Sequence, residues 1–257
     1  FLATGHYIQK HITNDEVKLY RAKDKTKDQS YFLFATTMEQ LEYLIFPLGG
    51  YTKDETRKIA LKYNLDVANK PDSQDICFVP SGKYTGIIEK NSTNIPQKGK
   101  IVNMNGEEIS EHQGIENFTI GQRKGLGIGG LKDPLYVVSI DPDKNIVVVG
   151  PRSSTAKETI SLRNVNWLLS DFYLLKDGLD ISVKIRNTQE PIKAIIKKDI
   201  TSNKVKVYFN EPLYGVSPGQ ACVFYQNDRV LGGGWIEKDI LDFIPHNKRQ
   251  LGNCLNN

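Results

Sequence analysis

Cysteine is nearly absent from this chain, with three residues (Cys77, Cys222 and Cys254) in 257. They are widely spaced and form no Cys-x-x-Cys pair, which excludes a local zinc knuckle and argues against a disulfide framework. A reducing compartment, the cytoplasm, fits best. The four histidines, His6, His11, His112 and His246, are too scattered to make a metal site. No apolar run approaches the ~20 residues needed to span a bilayer. Gly-x-Ser-x-Gly is missing, no Ser-His-Asp order stands out, and no Gly-Lys-Ser/Thr closes a phosphate loop. An initiating Met is missing too. The chain opens on Phe1-Leu2-Ala3-Thr4-Gly5-His6, which reads as the end of a buried strand running into a glycine turn. That start predicts a piece of a longer protein, in which no targeting signal would be visible.

The residues that are there, 39% hydrophobic and 25% charged, belong to a globular protein long enough for two domains. The net charge of +4 permits a polyanion partner without requiring one. Val17, Leu19 and Tyr20 predict short strands about the turn Thr13-Asn14-Asp15, and Lys23 to Ser30 is a charged loop. Thr37-Met-Glu-Gln40 and Thr52-Lys-Asp-Glu55 match the capping-box pattern. The second opens a helix with Ile59, Ala60 and Tyr63 on one face, and Asn64 fits its C-terminal end. Ser81 to Asn91 predicts a further short helix.

From Gly99 the periodicity is that of strands. Asn105-Gly106 and Pro142 to Asn145 mark two hairpins. Ile160 to Trp167, Ile181 to Ile185, Ile192 to Ile196, Val205 to Phe209, Ala221 to Tyr225 and Val230 to Ile236 follow, with turns at Ser202-Asn203 and Asn227-Asp228. Half a dozen short strands predict a closed barrel or sandwich. The polar end predicts a flexible tail over 245–257. The plan is the end of an α/β domain over 1–80, a mixed α+β segment over 81–154 and a β-barrel over 155–244.

Cys77 is the reactive candidate. It stands in Pro71-Asp-Ser-Gln-Asp-Ile-Cys77-Phe78, where a polar loop turns toward apolar residues. Most free cysteines are small buried hydrophobes, and position alone leaves both readings open. Gly125-Leu-Gly127-Ile-Gly-Gly130 is a literal G-x-G-x-x-G, but Pro134 and a strand follow where a dinucleotide site needs a helix. Arg123 and Lys124 lie between glycines, as a phosphate-meeting loop would place them or as a plain hairpin loop would. His6 is more often a structural residue type than a catalyst. Cys222, alternating with Phe224, belongs to the core.

Five blocks occur in one order: Ala3-Thr-Gly-His-Tyr7, Lys27-Asp-Gln-Ser-Tyr31, Ser73-Gln-Asp-Ile-Cys-Phe78, Gly121-Gln-Arg-Lys-Gly-Leu-Gly127 and Ser217-Pro-Gly-Gln-Ala221. Together they closely resemble the tRNA-specific 2-thiouridylase family over nearly the whole chain. The resemblance implies the C-terminal end of an adenine-nucleotide α-hydrolase-like (PP-loop) domain, a small central domain and a tRNA-binding β-barrel. It implies ATP-dependent thiolation of the wobble uridine of tRNA, with magnesium accompanying ATP. Sulfur would come from a persulfide donor, a cysteine desulfurase or a sulfur-relay protein. By the same resemblance Cys77 carries the persulfide and Gly5 lies against ATP. His6, Lys27, Asp28, Gln29, Arg186, Asn187 and Gln220 would contact tRNA, although the family often has an aromatic where Asn187 stands. The family's Ser-Gly-Gly-x-Asp-Ser loop and its first catalytic cysteine would lie upstream of Phe1, and neither Cys222 nor Cys254 matches that cysteine. The chain by itself is therefore expected to bind tRNA weakly and to catalyse nothing. The alternative is a non-catalytic RNA-binding module with an inert Cys77.

Overall fold

The computed structural model describes residues 1–14, 16–69, 97–129, 133–169, 178–198 and 204–238. Two compact units divide the chain: the first is 1–71, 158–211 and 218–237, and the second is 72–157, 212–217 and 238–257.

The first unit opens with β1 (Leu2–Ala3), then the hairpin β2 (Ile8–Thr13) and β3 (Glu16–Arg21). Asn14 turns this hairpin at φ +52°, a conformation Asn tolerates because its side chain can bond locally. The helices α1 (Ser30–Leu33) and α2 (Met38–Tyr43), the strand β4 (Leu44–Ile45) and the helix α3 (Lys53–Lys62) follow. Both predicted capping boxes close. Thr37 and Gln40 exchange side-chain-to-backbone bonds at the start of α2, as Thr52 and Glu55 do at α3. Asn64 ends α3 in the left-handed region at φ +51°. The apolar face of α3 is not buried, since Ile59 is 39% and Tyr63 67% exposed. The opening strand, expected to be buried, is also exposed. β1 pairs in parallel with β4 alone, so a single neighbour covers it among the described residues.

The second unit holds a four-stranded sheet of β5 (Gly99–Val102), β6 (Glu108–His112), β7 (Tyr136–Asp141) and β8 (Ile146–Gly150), in the order β6-β5-β8-β7. Both hairpins fall where the turn signals put them. The parallel pairing of β5 with β8 joins them into one sheet. Ile101, Leu126, Val137, Val147 and Val149 form its core.

The remaining strands are β9 (Ala156–Trp167), β10 (Leu179–Lys184), β11 (Ile192–Lys198), β12 (Val205–Tyr214), β13 (Ala221–Gln226) and β14 (Arg229–Ile236). They run β13-β10-β11-β12-β9-β14, and β14 pairs back onto β13, so the six close into a barrel. Alternate residues fill it: Ile160 and Leu162, Ile181 and Val183, Ala194 and Ile196, Val205 and Val207 are all buried. Strand β13 is buried on both faces. Cys222 and Phe224 face one way, while Ala221, Val223 and Tyr225 join a cluster with Ile8, Leu19, Phe34 and Leu41. The β2–β3 hairpin extends the barrel sheet, with Tyr20 opposite Arg229 and Leu19 opposite Val230. The fold is therefore α/β plus β. Cys77, Cys254, the predicted helix at 81–91, the Ser202-Asn203 turn and the 245–257 tail lie outside the described residues.

Candidate functional site

Strand β3 alternates, with Val17, Leu19 and Arg21 all facing inward. An arginine at an inward position needs a partner, because an unpaired buried charge costs several kcal/mol. Asp28 is that partner. Its carboxylate accepts from Arg21 Nε at 3.1 Å, from the Ala22 and Ser30 amides at 3.1 and 3.2 Å, and from Ser30 Oγ at 2.9 Å. Tyr225 from β13 adds its hydroxyl 3.0 Å from Ser30 Oγ. Burial raises the Tyr225 phenol. Lys184, at the end of β10, is buried close by; burial lowers its ammonium, against the opposing pull of Asp28.

This network fixes the loop that carries Lys27, Asp28 and Gln29. Gln29 reaches back to the start of the chain, its Oε1 accepting from Tyr7 N at 2.9 Å and its amide donating to Tyr7 O at 3.0 Å. Beside Tyr7, His6 Nδ1 lies 2.7 Å from Thr4 Oγ1. Two residues beyond Gln29, the Tyr31 hydroxyl lies 3.0 Å from the carbonyl oxygens of both Ile185 and Ala221, so one proton serves two acceptors. Burial, with a smaller push from Cys222, drives the Tyr31 phenol up to about 12. Ile185 precedes exposed Arg186 and Asn187, and Ala221 follows Gln220. Gln220 Oε1 is buried without a hydrogen-bond partner among the described residues.

The structure thus gathers four stretches that are distant in sequence: His6 with Tyr7, Lys27 to Gln29, Arg186 with Asn187, and Gln220. Asp28 itself faces inward, its side chain only 1% exposed. Cations and carboxylates alternate in the loop around it. Lys23 pairs with Glu55 at 2.9 Å and Lys25 with Asp228 at 2.8 Å, and Asp24 shapes the turn by accepting from Thr26 and from Lys53 N. The Thr26 hydroxyl and the Lys53 amide hold the Asp24 carboxyl below its usual range. Arg123 and Lys124 belong to the second unit.

Three family models match successive stretches of the chain. They describe a tRNA methyl transferase HUP domain at 1–81, a tRNA methyl transferase PRC-barrel domain at 91–151 and an aminomethyltransferase beta-barrel domain at 157–236. The tRNA-specific 2-thiouridylase MnmA of Rickettsia canadensis (strain McKiel) is 53% identical over 242 residues, covering 93% of this chain and 64% of that protein. The protein of the same name from Rickettsia felis is 54% identical over 241 residues, covering 93% and 65%. The chain belongs to the tRNA-specific 2-thiouridylase family. It spans about two thirds of the length of these curated relatives, 64–65%.

Within this 2-thiouridylase frame, Gly5 lies exposed just beyond β1, where open α/β sheets bind ligands. A Cβ there would meet only Leu48 Cδ1, at 3.7 Å, so packing does not demand the glycine and its backbone is open to a ligand. That fits a nucleotide approaching Gly5. No group of three or more His, Cys, Asp or Glu that could hold a metal ion is found among the described residues. Nor is any helix among them long and apolar enough to cross a membrane. Cys222 is fully buried, and burial raises its thiol far above the usual range.

The motif blocks did not include Arg21, Lys184 or Tyr225. For Arg21 a signal existed in the alternation Val17-Leu19-Arg21, which places a charge on an inward face and so calls for an acid. For Tyr225, buried in an apolar strand, the sequence holds no comparable sign.

Proposed function

We propose that this chain carries the sulfur-transfer and tRNA-binding parts of an ATP-dependent enzyme that converts the wobble uridine of tRNA to 2-thiouridine in the cytoplasm. Its 53–54% identity to proteins named tRNA-specific 2-thiouridylase, over 93% of the chain, carries this reading. The pinned loop of the first unit supports it, since Gln29 is tied to Tyr7 and Tyr31 to Ile185 and Ala221. Lys27, Gln29, Arg186, Asn187, Gln220 and His6 meet tRNA there, while Asp28 orders the loop that presents them. The division at 1–80, 81–154 and 155–244 belongs to the same reading.

Cys77 receives a sulfur atom from a persulfide donor and holds it as Cys77 Sγ–SH. ATP, as co-substrate with magnesium, supplies the adenylyl group that makes uracil O2 a leaving group, and Gly5 lies against it. The terminal sulfur of the persulfide bonds to C2, and the C2–O2 bond breaks with its electrons leaving on AMP. A second thiolate attacks Cys77 Sγ, breaks the S–S bond and closes a disulfide, which a thiol reductant later reopens. Cys222 is no candidate for that second thiol. It is buried away from solvent, and burial holds it in the un-ionised, unreactive form.

The test is Cys77→Ser in the full-length gene product. 2-Thiouridine formation should vanish while tRNA binding persists. Normal thiolation by this variant would refute the sulfur-carrier role and favour an RNA-binding module with an inert Cys77.

A further inference from the structure

The glycine-rich loop of the second unit is anchored on both sides of its two cations. Gly121 N donates to Val137 O at 2.8 Å, and Val137 N donates to Gln122 O at 2.9 Å, so the loop is stitched to β7. The Gln122 side chain clamps both flanks, accepting from Thr119 N at 2.9 Å and donating to Lys124 O at 3.0 Å. Leu126 is sunk in the sheet core. Between these anchors Arg123 and Lys124 stand exposed, and neither side chain has a hydrogen-bond or ion-pair partner among the described residues. Adjacent like charges on an ordered loop repel each other; Asp133 lines the same cleft as Arg123, but no ion pair joins an acid to either cation among the described residues.

The loop also abuts a second feature. A Cβ on Gly121 would come within 2.7 Å of Gly215 Cα, so the two backbones touch through glycines, at φ +83° and +65°. Next to Gly215, Tyr214 is 45% exposed and carries the Arg152 guanidinium 4.5 Å from its ring centroid. Three cations and an exposed aromatic plane therefore border one glycine-to-glycine contact. Phosphodiesters meet cations and bases meet aromatic planes, so this combination suits a nucleic-acid strand.

We propose that Arg123, Lys124 and the Arg152–Tyr214 stack form a second RNA-contact face, with the loop cations on backbone phosphates and Tyr214 supporting a base or ribose. The proposal rests on the reading of the chain as a tRNA-acting protein, and adds to it a contact surface separate from the Lys27–Gln29 loop.

The experiment measures tRNA affinity of the full-length gene product across a potassium chloride series. It compares the wild type with Arg123→Gln/Lys124→Gln and with Tyr214→Ala; the first pair changes only exposed side chains and leaves the Gln122 clamps in place. The double variant should bind roughly tenfold or more weakly at low salt, and its slope of log affinity against log salt should flatten by about 1.4–1.8. Tyr214→Ala should weaken binding about tenfold with little change in slope. Unchanged affinity and slope in the double variant, with a salt-dependent wild type, would overturn this face and leave the tRNA reading standing. Unchanged tRNA binding with lost sulfur delivery from the donor protein would also overturn it, assigning the loop to a protein partner. A wild type that does not bind tRNA would sink the functional reading itself.

Discussion

Removing Asp28 tests whether this residue is a strut or a tRNA contact. Its carboxylate, 1% exposed, faces the Arg21 side chain, 9% exposed, at 3.1 Å, and also takes two backbone amides and the Ser30 hydroxyl. Breaking one side of a buried pair costs about 3–5 kcal/mol, because the other charge is left uncompensated. In Asp28→Ala the guanidinium would keep the exposed carboxylates of Glu190 at 3.7 Å and Asp228 at 3.9 Å, and the Tyr225 ring 6.0 Å away. These rim partners hold the expected loss near the lower end, about 3 kcal/mol, or a melting-temperature drop of roughly 6–12 °C for a domain of this size. Asp28→Asn should lose less, since the amide oxygen still accepts from the backbone while its NH₂ meets the Arg21 N–H donor. The assay is tryptophan fluorescence in urea. Both tryptophans, Trp167 and Trp235, lie in the first unit, so their signal reports that unit alone. Arg21→Met/Asp28→Asn should recover a large part of the loss, because it removes both charges together and keeps an oxygen that accepts from the Ala22 and Ser30 amides. A cost below about 1 kcal/mol, or lost tRNA affinity at unchanged stability, would refute the strut role.

Two further expectations follow from the same unit. A Cβ on Gly49 would run into the Ile8 carbonyl, whereas one on Gly50 meets nothing within 4 Å. Gly49→Ala should therefore cost about 2 kcal/mol or more and Gly50→Ala almost nothing, and equal melting temperatures for the two would contradict the close approach. Tyr31, whose phenol is raised to about 12, is neutral in the fold at pH values where the unfolded chain ionises it. Its contribution is complete below about pH 10 and is lost as pH rises toward 12. Tyr31→Phe should cost about 1 kcal/mol at neutral pH and flatten the alkaline fall in the urea midpoint. An unaltered alkaline limb would count against the shift.

What the sequence showed was whatever short-range chemistry determines. Thr37–Gln40 and Thr52–Glu55 announced two helix starts because a capping box is complete within four residues. Asn105-Gly106 and Asn227-Asp228 announced their turns, and the alternation in Ile181–Val183 or Val205–Val207 announced barrel strands. The failures depended on neighbours. The 3.6-residue spacing of Ile59 and Tyr63 gave the helix but could not say whether anything covers that face. Nothing in β3 announced its pairing with β14, since a register of Tyr20 opposite Arg229 joins residues some two hundred positions apart. The site divides the same way. The motif blocks marked the surface residues from His6 to Gln220, while the Arg21–Asp28–Ser30–Tyr225 network beneath them exists only once β3, α1 and β13 have come together.

Whether Cys77 carries sulfur can be read from the protein's own mass. The full-length gene product is incubated with a cysteine desulfurase and cysteine, and intact-mass measurement with peptide mapping follows. One added sulfur is expected on the peptide containing Cys77 and none on buried Cys222. A protein that gains no sulfur at Cys77, yet still forms 2-thiouridine, would contradict it.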